Sequence, residues 1–95
     1  MFARITHFKM KPGSRDAAMA IMDQLKPQIL ALNGLQEFIN VMNEDGSGYV
    51  ISLTESQDTS DGNAEQVKKL WSAFSEHLEA TPEAHGFDVM ANWKT

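Results

Sequence analysis

The spacing of the apolar residues constrains the fold of this chain more than any other feature, because it changes from one segment to the next. A period of two, which is typical of strands, runs through four segments, residues 2–10, 35–42, 49–55 and 87–94. A period near 3.6, which is typical of helices, runs through two apolar stripes, Ala18–Leu32 and Val67–Leu78. The sequence therefore predicts the order strand, helix, strand, strand, helix, strand.

Turn and cap residues separate these segments. Pro12-Gly13 forms a turn, and Ser14 after it can cap the first helix. Asn33-Gly34 is suited to end that helix, and Pro27 within it predicts a kink or a break. The residues NEDGSG predict a reversing loop between two antiparallel strands, and SQDTSDGN predicts a polar linker before the second helix.

This order of elements is that of a ferredoxin-like α+β fold. Right-handed crossovers would place both helices on one face of a four-stranded antiparallel sheet and leave the other face bare. The chain has 95 residues and shows no repeat or interdomain linker, so residues 1–95 are expected to form a single domain.

Composition limits the kinds of partner. The formal net charge is -5 and no basic cluster stands out, so we expect no nucleic-acid partner. We expect no membrane partner and a cytoplasmic protein, because no apolar run could span a bilayer and no signal-peptide pattern is visible. Without cysteine, stability has to come from the core or from association with a second copy.

Alternation along the strands sorts their residues into two sets, one for each face of the sheet. One set is nearly all apolar and is expected beneath the helices: Phe2, Phe8, Met10, Leu35, Ile39, Val41, Tyr49, Ile51, Leu53, Phe87, Val89, Ala91 and Trp93, with Arg4, Thr6 and Glu37 as exceptions. The other set is mixed: Ala3, Ile5, His7, Lys9, Gln36, Phe38, Asn40, Met42, Val50, Ser52, Thr54, Asp88, Met90, Asn92 and Lys94. A mixed face suits burial against a second copy around a small polar-lined space. A register error of one residue would exchange the two faces.

Several residues of the mixed face are candidates for chemistry. His7 could act as a general base, because imidazole exchanges a proton near neutral pH, although a partly buried structural histidine is the more common alternative. The amides of Asn40 and Asn92 could hold a developing anion. Phe38, Met42 and Met90 could line an aromatic ligand site, although residues at this spacing more often form the core of a dimer. No metal site is expected, since the three histidines lie far apart and no paired-ligand spacing is present.

Three segments resemble the antibiotic biosynthesis monooxygenase-like proteins of the dimeric α+β barrel superfamily. FKMKPGSRDAAM is similar to that family's first strand, Lys-Pro-Gly turn and first helix. LNGLQEFINVMNEDG is similar to its second strand and turn, and AFSEHLEATPEAHGF is similar to its second helix and the turn that follows. Thr54 stands where many members carry a tryptophan at the end of the third strand.

The resemblance implies a homodimer that oxidises a small aromatic or quinone-type compound without a metal, flavin or other cofactor. On this hypothesis His7 would orient or deprotonate the substrate, and Asn40 and Asn92 would stabilise its anion. Trp71 would lie near the pocket and His77 matches the family's helix histidine, although both positions also suit structural roles. The second hypothesis is a non-catalytic homodimer of the same fold that binds a small apolar metabolite or serves as a stress-related module.

Overall fold

The computed structural model describes all 95 residues as a four-stranded antiparallel sheet with helices on one face. The strands are β1 (Phe2–Lys9), β2 (Leu35–Met42), β3 (Ser47–Thr54) and β4 (Glu83–Asp88). The helices are α1 (Arg15–Leu30), α2 (Gln57–Gly62) and α3 (Ala64–Ser72), followed by a 3-10 turn at Ser75–His77. The strand order β2-β3-β1-β4 confirms the predicted ferredoxin-like α+β fold.

Three of the predicted segments differ from the structure. The second helix was predicted to run through Val67–Leu78, but α3 ends at Ser72, and Leu78 follows the 3-10 turn in an extended conformation. The expected polar linker forms α2, because the Ser56 hydroxyl accepts a hydrogen bond from the Thr59 amide and caps a helix there. The last strand is residues 83–88 and not 87–94, since its pairing with β1 ends where Phe2 lies opposite Asp88. Residues 89–95 continue without regular structure to the far edge of the sheet, where Lys94 pairs with Glu37 of β2.

The first helix follows its predicted bounds closely. Ser14 is the N-cap residue, although its side chain forms no capping hydrogen bond, and α1 continues through Pro27 to Leu30 without a break. Gly34 has a φ of 69°, which is the left-handed conformation predicted for a helix stop at Asn33-Gly34. No helix of the structure has the length and apolar character that crossing a bilayer would require.

The predicted reversing loop joins β2 to β3. Gly46 has a φ of 91°, a conformation that glycine adopts without steric cost. The Asp45 carboxylate accepts hydrogen bonds from the Ser47 hydroxyl at 2.6 Å and from the Ser47 amide at 2.9 Å. These two bonds favour the charged carboxylate and lower the pKa of Asp45.

The register of the sheet decides which residues lie beneath the helices. Thr6 of β1 lies opposite Val50 of β3, and Val50 lies opposite Asn40 of β2. Directly paired residues share a face, so the even-numbered residues of β3, and those of β2 from Phe38 onwards, lie on the same side as Thr6. This side, the covered face, includes Phe2, Arg4, Thr6, Phe8, Phe38, Asn40, Met42, Val50, Ser52, Thr54 and Ala84.

The face assignment made from the sequence is therefore right for β1 and Leu35, and wrong for the rest of β2, for β3, and for Phe87 and Asp88 of β4. The opposite side, the open face, carries Ala3, Ile5, His7, Ile39, Val41, Tyr49, Ile51, Leu53 and Phe87. Both residue sets of β2 and β3 contain large apolar side chains, so alternation alone does not reveal which set meets the helices. Four open-face side chains remain about half exposed: Ile39 (44%), Val41 (46%), Tyr49 (49%) and Phe87 (52%).

The closely packed core occupies one end of the covered face. It is a buried cluster of four residues, Phe8, Met10, Ala18 and Phe74. The Trp71 ring extends this cluster, with its centroid 5.8 Å from that of Phe8 and 6.0 Å from that of Phe74. Beyond Trp71 the helices do not fill the space above the sheet, and a cavity remains within the single chain.

Candidate ligand-binding cavity

The cavity lies between the covered face and the helices. Its volume is about 770 Å³, within the range of ligand pockets that enclose a compound of several rings. Of the 29 residues that line it, 18 are hydrophobic. A mostly apolar lining with a few polar groups is the usual composition of a small-molecule site, because apolar walls supply affinity and polar groups fix orientation.

Aromatic and thioether side chains form the apolar end of the cavity. Phe8 and Met42 contribute from the sheet, Met22 from α1, and Trp71 and Phe74 from α3 and the residues after it. All five belong to or pack against the buried core cluster, so this wall is held in place by the same contacts that stabilise the fold. Flat apolar surfaces and polarisable sulfur atoms favour an aromatic ring as the occupant.

Polar residues cross the floor of the cavity in two adjacent rows. One row places Asn40 and Thr6 on either side of Val50, and the other places Ser52 beside Arg4. Neighbouring strands are about 4.8 Å apart, so Ser52 and Arg4 present their polar atoms to the same part of a ligand. The floor therefore offers hydrogen-bond donors beneath apolar walls.

Arg4 is held in a defined position on this floor. Its Nε donates to Ser60 Oγ at 2.9 Å, and its Nη2 donates to Asp61 Oδ1 at 2.6 Å. Its Cζ lies 5.5 Å from the centroid of the Phe2 ring, within the range of a cation–π contact. These contacts join β1 to α2 and keep the guanidinium at the cavity, with the side chain 27% exposed.

The Asn40 side chain is exposed and forms no hydrogen bond within the chain. An amide offers two donors and one acceptor oxygen, so the whole hydrogen-bonding capacity of this side chain is available to a ligand. Asn63, in contrast, is buried and donates its Nδ2 to the Asn33 carbonyl oxygen at 2.9 Å. Asn63 therefore positions the start of α3, whereas Asn40 is free to bind.

The structure brings together only some of the residues that the sequence suggested. Four of them line the cavity: Phe38, Asn40, Met42 and Trp71. His7 lies on the open face, where its ring centroid is 5.1 Å from that of Tyr49. His77 lies in the 3-10 turn and does not line the cavity. Met90 and Asn92 follow β4 and are exposed, outside the cavity.

The predicted catalytic trio is therefore not assembled, since His7, Asn40 and Asn92 lie in three different places. The polar-lined space was expected between the sheets of two copies, but it lies inside one chain because the register turns Asn40 towards the helices. Arg4 and Thr6 were missed as site residues. Their appearance as polar exceptions in an otherwise apolar set was the sequence signal that could have identified them.

Acid–base groups are scarce around the cavity. No histidine lines it, and its two carboxylates are Asp23 of α1 and Asp61, which is paired with Arg4. No group of three or more His, Cys, Asp or Glu side chains is arranged to hold a metal ion. The chemistry that these residues support is binding of an oxygen-bearing aromatic compound and stabilisation of negative charge on it.

Comparison with known proteins identifies solved structures that have the same fold. No protein-family model and no curated protein matches the sequence. Among solved structures, NE2512 from Nitrosomonas europaea, a protein of unknown function, superposes with a TM-score of 0.81 at 14% identity, covering 99% of this chain and 93% of its own. An antibiotic biosynthesis monooxygenase superposes with a TM-score of 0.77 at 14% identity, covering 96% of this chain and all of its own (100%).

This chain has the fold of the antibiotic biosynthesis monooxygenases. Rv0793 from Mycobacterium tuberculosis shares the architecture too, with a TM-score of 0.74, 16% identity and coverage of 98% of each chain. The resemblance inferred from the three sequence segments is thus confirmed at the level of the fold. Activity does not follow from a shared fold, so function has to be argued from the cavity of this chain.

Proposed function

We propose that the protein is a cofactor-independent, monooxygenase-like enzyme that oxidises a small aromatic or quinone-type compound bound in the cavity. The observation that carries the proposal is the combination of a cavity of about 770 Å³, an aromatic and thioether wall, and a polar floor with unused donors. The shared fold with an antibiotic biosynthesis monooxygenase supports the proposal without establishing it.

The reaction would use the substrate's own ability to form an anion. An activated methylene carbon would lose a proton to solvent water, and the resulting carbanion would be oxidised by dioxygen. One oxygen atom would stay as a new carbonyl group, and the other would leave as water with the two hydrogens of the methylene. Asn40 would donate a hydrogen bond to the anionic oxygen, and the Arg4 guanidinium would stabilise the same charge. His7 cannot serve as the base inside this cavity, because it lies on the other side of the sheet.

A second function is favoured by the scarcity of acid–base groups. The cavity has no histidine, Asp61 is paired with Arg4, and Asp23 is the one remaining carboxylate, so the cavity is equipped better for binding than for proton transfer. A non-catalytic protein that binds a small hydrophobic or aromatic compound would need only the apolar wall and the polar floor.

Two further parts of the proposal concern assembly and location. A homodimer formed through the open face would cover the half-exposed side chains of Ile39, Val41, Tyr49 and Phe87. We also keep the expectation of a cytoplasmic protein as a prediction, which fractionation of cells expressing the tagged chain would test.

Oxygen consumption separates the two functions. Purified protein is incubated with anthrone-type and phenolic compounds, dioxygen uptake is recorded, and thermal-shift measurements report binding of the same compounds. Asn40→Ala should reduce turnover by about 100-fold, the effect typical of losing one donor to a developing oxyanion. Asn92→Ala is the matched control, since Asn92 lies outside the cavity, and it should leave turnover unchanged.

Each result has a definite meaning. Stabilisation by a compound without oxygen uptake would support the binding protein and contradict the enzyme. Equal effects of the two asparagine substitutions would show that the reaction does not take place on the cavity floor. Failure of every aromatic compound to bind would contradict the enzyme, and failure of non-aromatic hydrophobic compounds as well would contradict the binding protein.

A further inference from the structure

The charge around the cavity differs in sign from the charge of the whole chain. The chain has a formal net charge of -5, whereas three cationic and two acidic residues line the cavity, which gives +1. The cationic residues are Arg4, Arg15 and Lys68, and the acidic ones are Asp23 and Asp61. A concentration of positive charge in a cavity of an acidic protein favours an anionic occupant.

The Arg4 guanidinium is the only cation on the cavity floor, and not all of its N–H groups are hydrogen-bonded within the chain. A guanidinium carries five N–H donors, and the chain supplies acceptors for two, at Ser60 and Asp61. The remaining three N–H groups have no acceptor in the chain. Planar oxyanions accept two parallel N–H bonds from arginine, which gives the pair directional strength.

The surroundings of Arg4 place these donors at the polar end of an apolar space. Ser52 lies directly across from Arg4 on β3 and adds a hydroxyl to the same part of the floor. The aromatic wall begins four residues further along β1, at Phe8. A ligand that spans both regions would combine a fused aromatic ring with one negatively charged group at its edge.

From these three observations we infer that Arg4 determines the specificity of the cavity for aromatic oxyanions, meaning carboxylates or acidic phenols attached to a fused ring. The inference rests on the proposed binding of aromatic compounds in this cavity and names the chemical class of that ligand. Asp61 is part of the arrangement, because its carboxylate competes with the ligand for the Arg4 guanidinium.

Isothermal titration calorimetry with matched probes tests the inference. The probes are 2-naphthoate and its neutral counterpart 2-naphthalenemethanol, and an ionised nitronaphthol separates phenolates from carboxylates. The wild-type protein should bind 2-naphthoate about 10-fold or more tightly than the alcohol, as expected for a hydrogen bond to a charged group. Arg4→Gln should abolish that preference, measured as the ratio of the two dissociation constants within the same variant.

Two further variants separate recognition from a merely structural role of Arg4. Asp61→Asn removes the competing carboxylate, so it should tighten 2-naphthoate binding severalfold, an effect opposite in sign to that of Arg4→Gln. If Arg4 served only to hold α2 on the sheet, both substitutions would break the same contact and weaken binding alike. Lys69→Gln is the control for general electrostatic attraction and should change the preference by less than about threefold, since Lys69 is exposed, lies outside the cavity and is screened by salt.

The outcomes also distinguish this inference from the proposed function. Equal binding of the two naphthalene probes would overturn the assignment of Arg4 and leave aromatic binding intact. A preference for 2-naphthoate that persists in Arg4→Gln would overturn it as well. Absence of binding by all the probes would contradict the proposed function itself, whereas anion-selective binding without oxygen uptake would contradict only oxidation.

Discussion

A positive charge placed on the open face should separate two copies that pair through it. Ile39 lies on the edge strand β2, opposite Ile51 of β3, and Ile51 lies opposite Ile5 of β1. This row of three isoleucines crosses three strands; Ile39 is exposed, and Ile5 and Ile51 are partly buried. We therefore expect the wild-type protein to be a homodimer at micromolar concentration and Ile39→Lys to be largely monomeric.

The size of the effect follows from the exposure of the side chain. Complete burial of an isoleucine contributes about 1.5–3 kcal/mol, and 44% of Ile39 is still exposed, so covering the rest contributes about 1 kcal/mol. A two-fold contact contains the residue twice, which brings the loss to about 2 kcal/mol, or roughly 30-fold in the dissociation constant of the dimer. Desolvation of two lysine ammonium groups adds to this loss.

Sedimentation velocity across the micromolar range measures the dissociation constants of both proteins. The control is Leu30→Lys, which places the same charge on an exposed apolar residue of α1, away from the open face. That variant should sediment like the wild type. A wild-type protein that stays monomeric throughout the range, or an Ile39→Lys dimer as stable as the wild type, would refute the assignment of this face.

Two other substitutions test the register of the sheet. His7→Ala should leave ligand binding and any oxygen uptake unchanged, because His7 lies on the face opposite the cavity, and a loss of activity measured with the same compounds would restore it as a catalytic candidate. Gly48→Ala should destabilise the protein by about 1–3 kcal/mol in urea denaturation, because a Cβ there would lie 2.1 Å from the Val41 carbonyl oxygen and 2.7 Å from the Phe8 ring. Gly62→Ala is the control, since a Cβ at Gly62 would meet nothing within 4 Å, and equal effects of the two glycine substitutions would contradict the packing around Gly48.

Local signals in the sequence were sufficient to predict the element order and most of the turns. The left-handed residue at Gly34 and the reversing loop around Gly46 follow from residue types that act within a few positions of themselves. The helix at Gln57–Gly62 was missed because its residues are polar on every side, so it has no apolar stripe. The capping interaction between Ser56 and Thr59 was the available local signal.

The position of the site depends on information that alternation does not contain. Ile39 and Asn40 are consecutive residues of β2, so their side chains lie on opposite faces of the sheet. The residue pattern of β2 alone does not show which of the two faces the helices. The answer lies in which residue of β3 stands opposite each of them, a long-range relation fixed by the loop and by packing. The role of Arg4 depends in addition on Ser60 and Asp61, which are 56 and 57 positions away in sequence.

From the sequence, one mixed face was expected both to line the ligand site and to contact a second copy. The register of the sheet assigns these two roles to opposite faces. The cavity lies on the covered face and is lined by a single chain, whereas the uncovered apolar residues lie on the open face. Association of two copies is therefore not needed to form the cavity walls. The Ile39→Lys monomer should keep the wild-type preference for 2-naphthoate over its alcohol, because Arg4 and its partners are untouched. If separating the two copies abolished ligand binding, then the second copy would have to complete the site, and a cavity formed by one chain would not be sufficient for function.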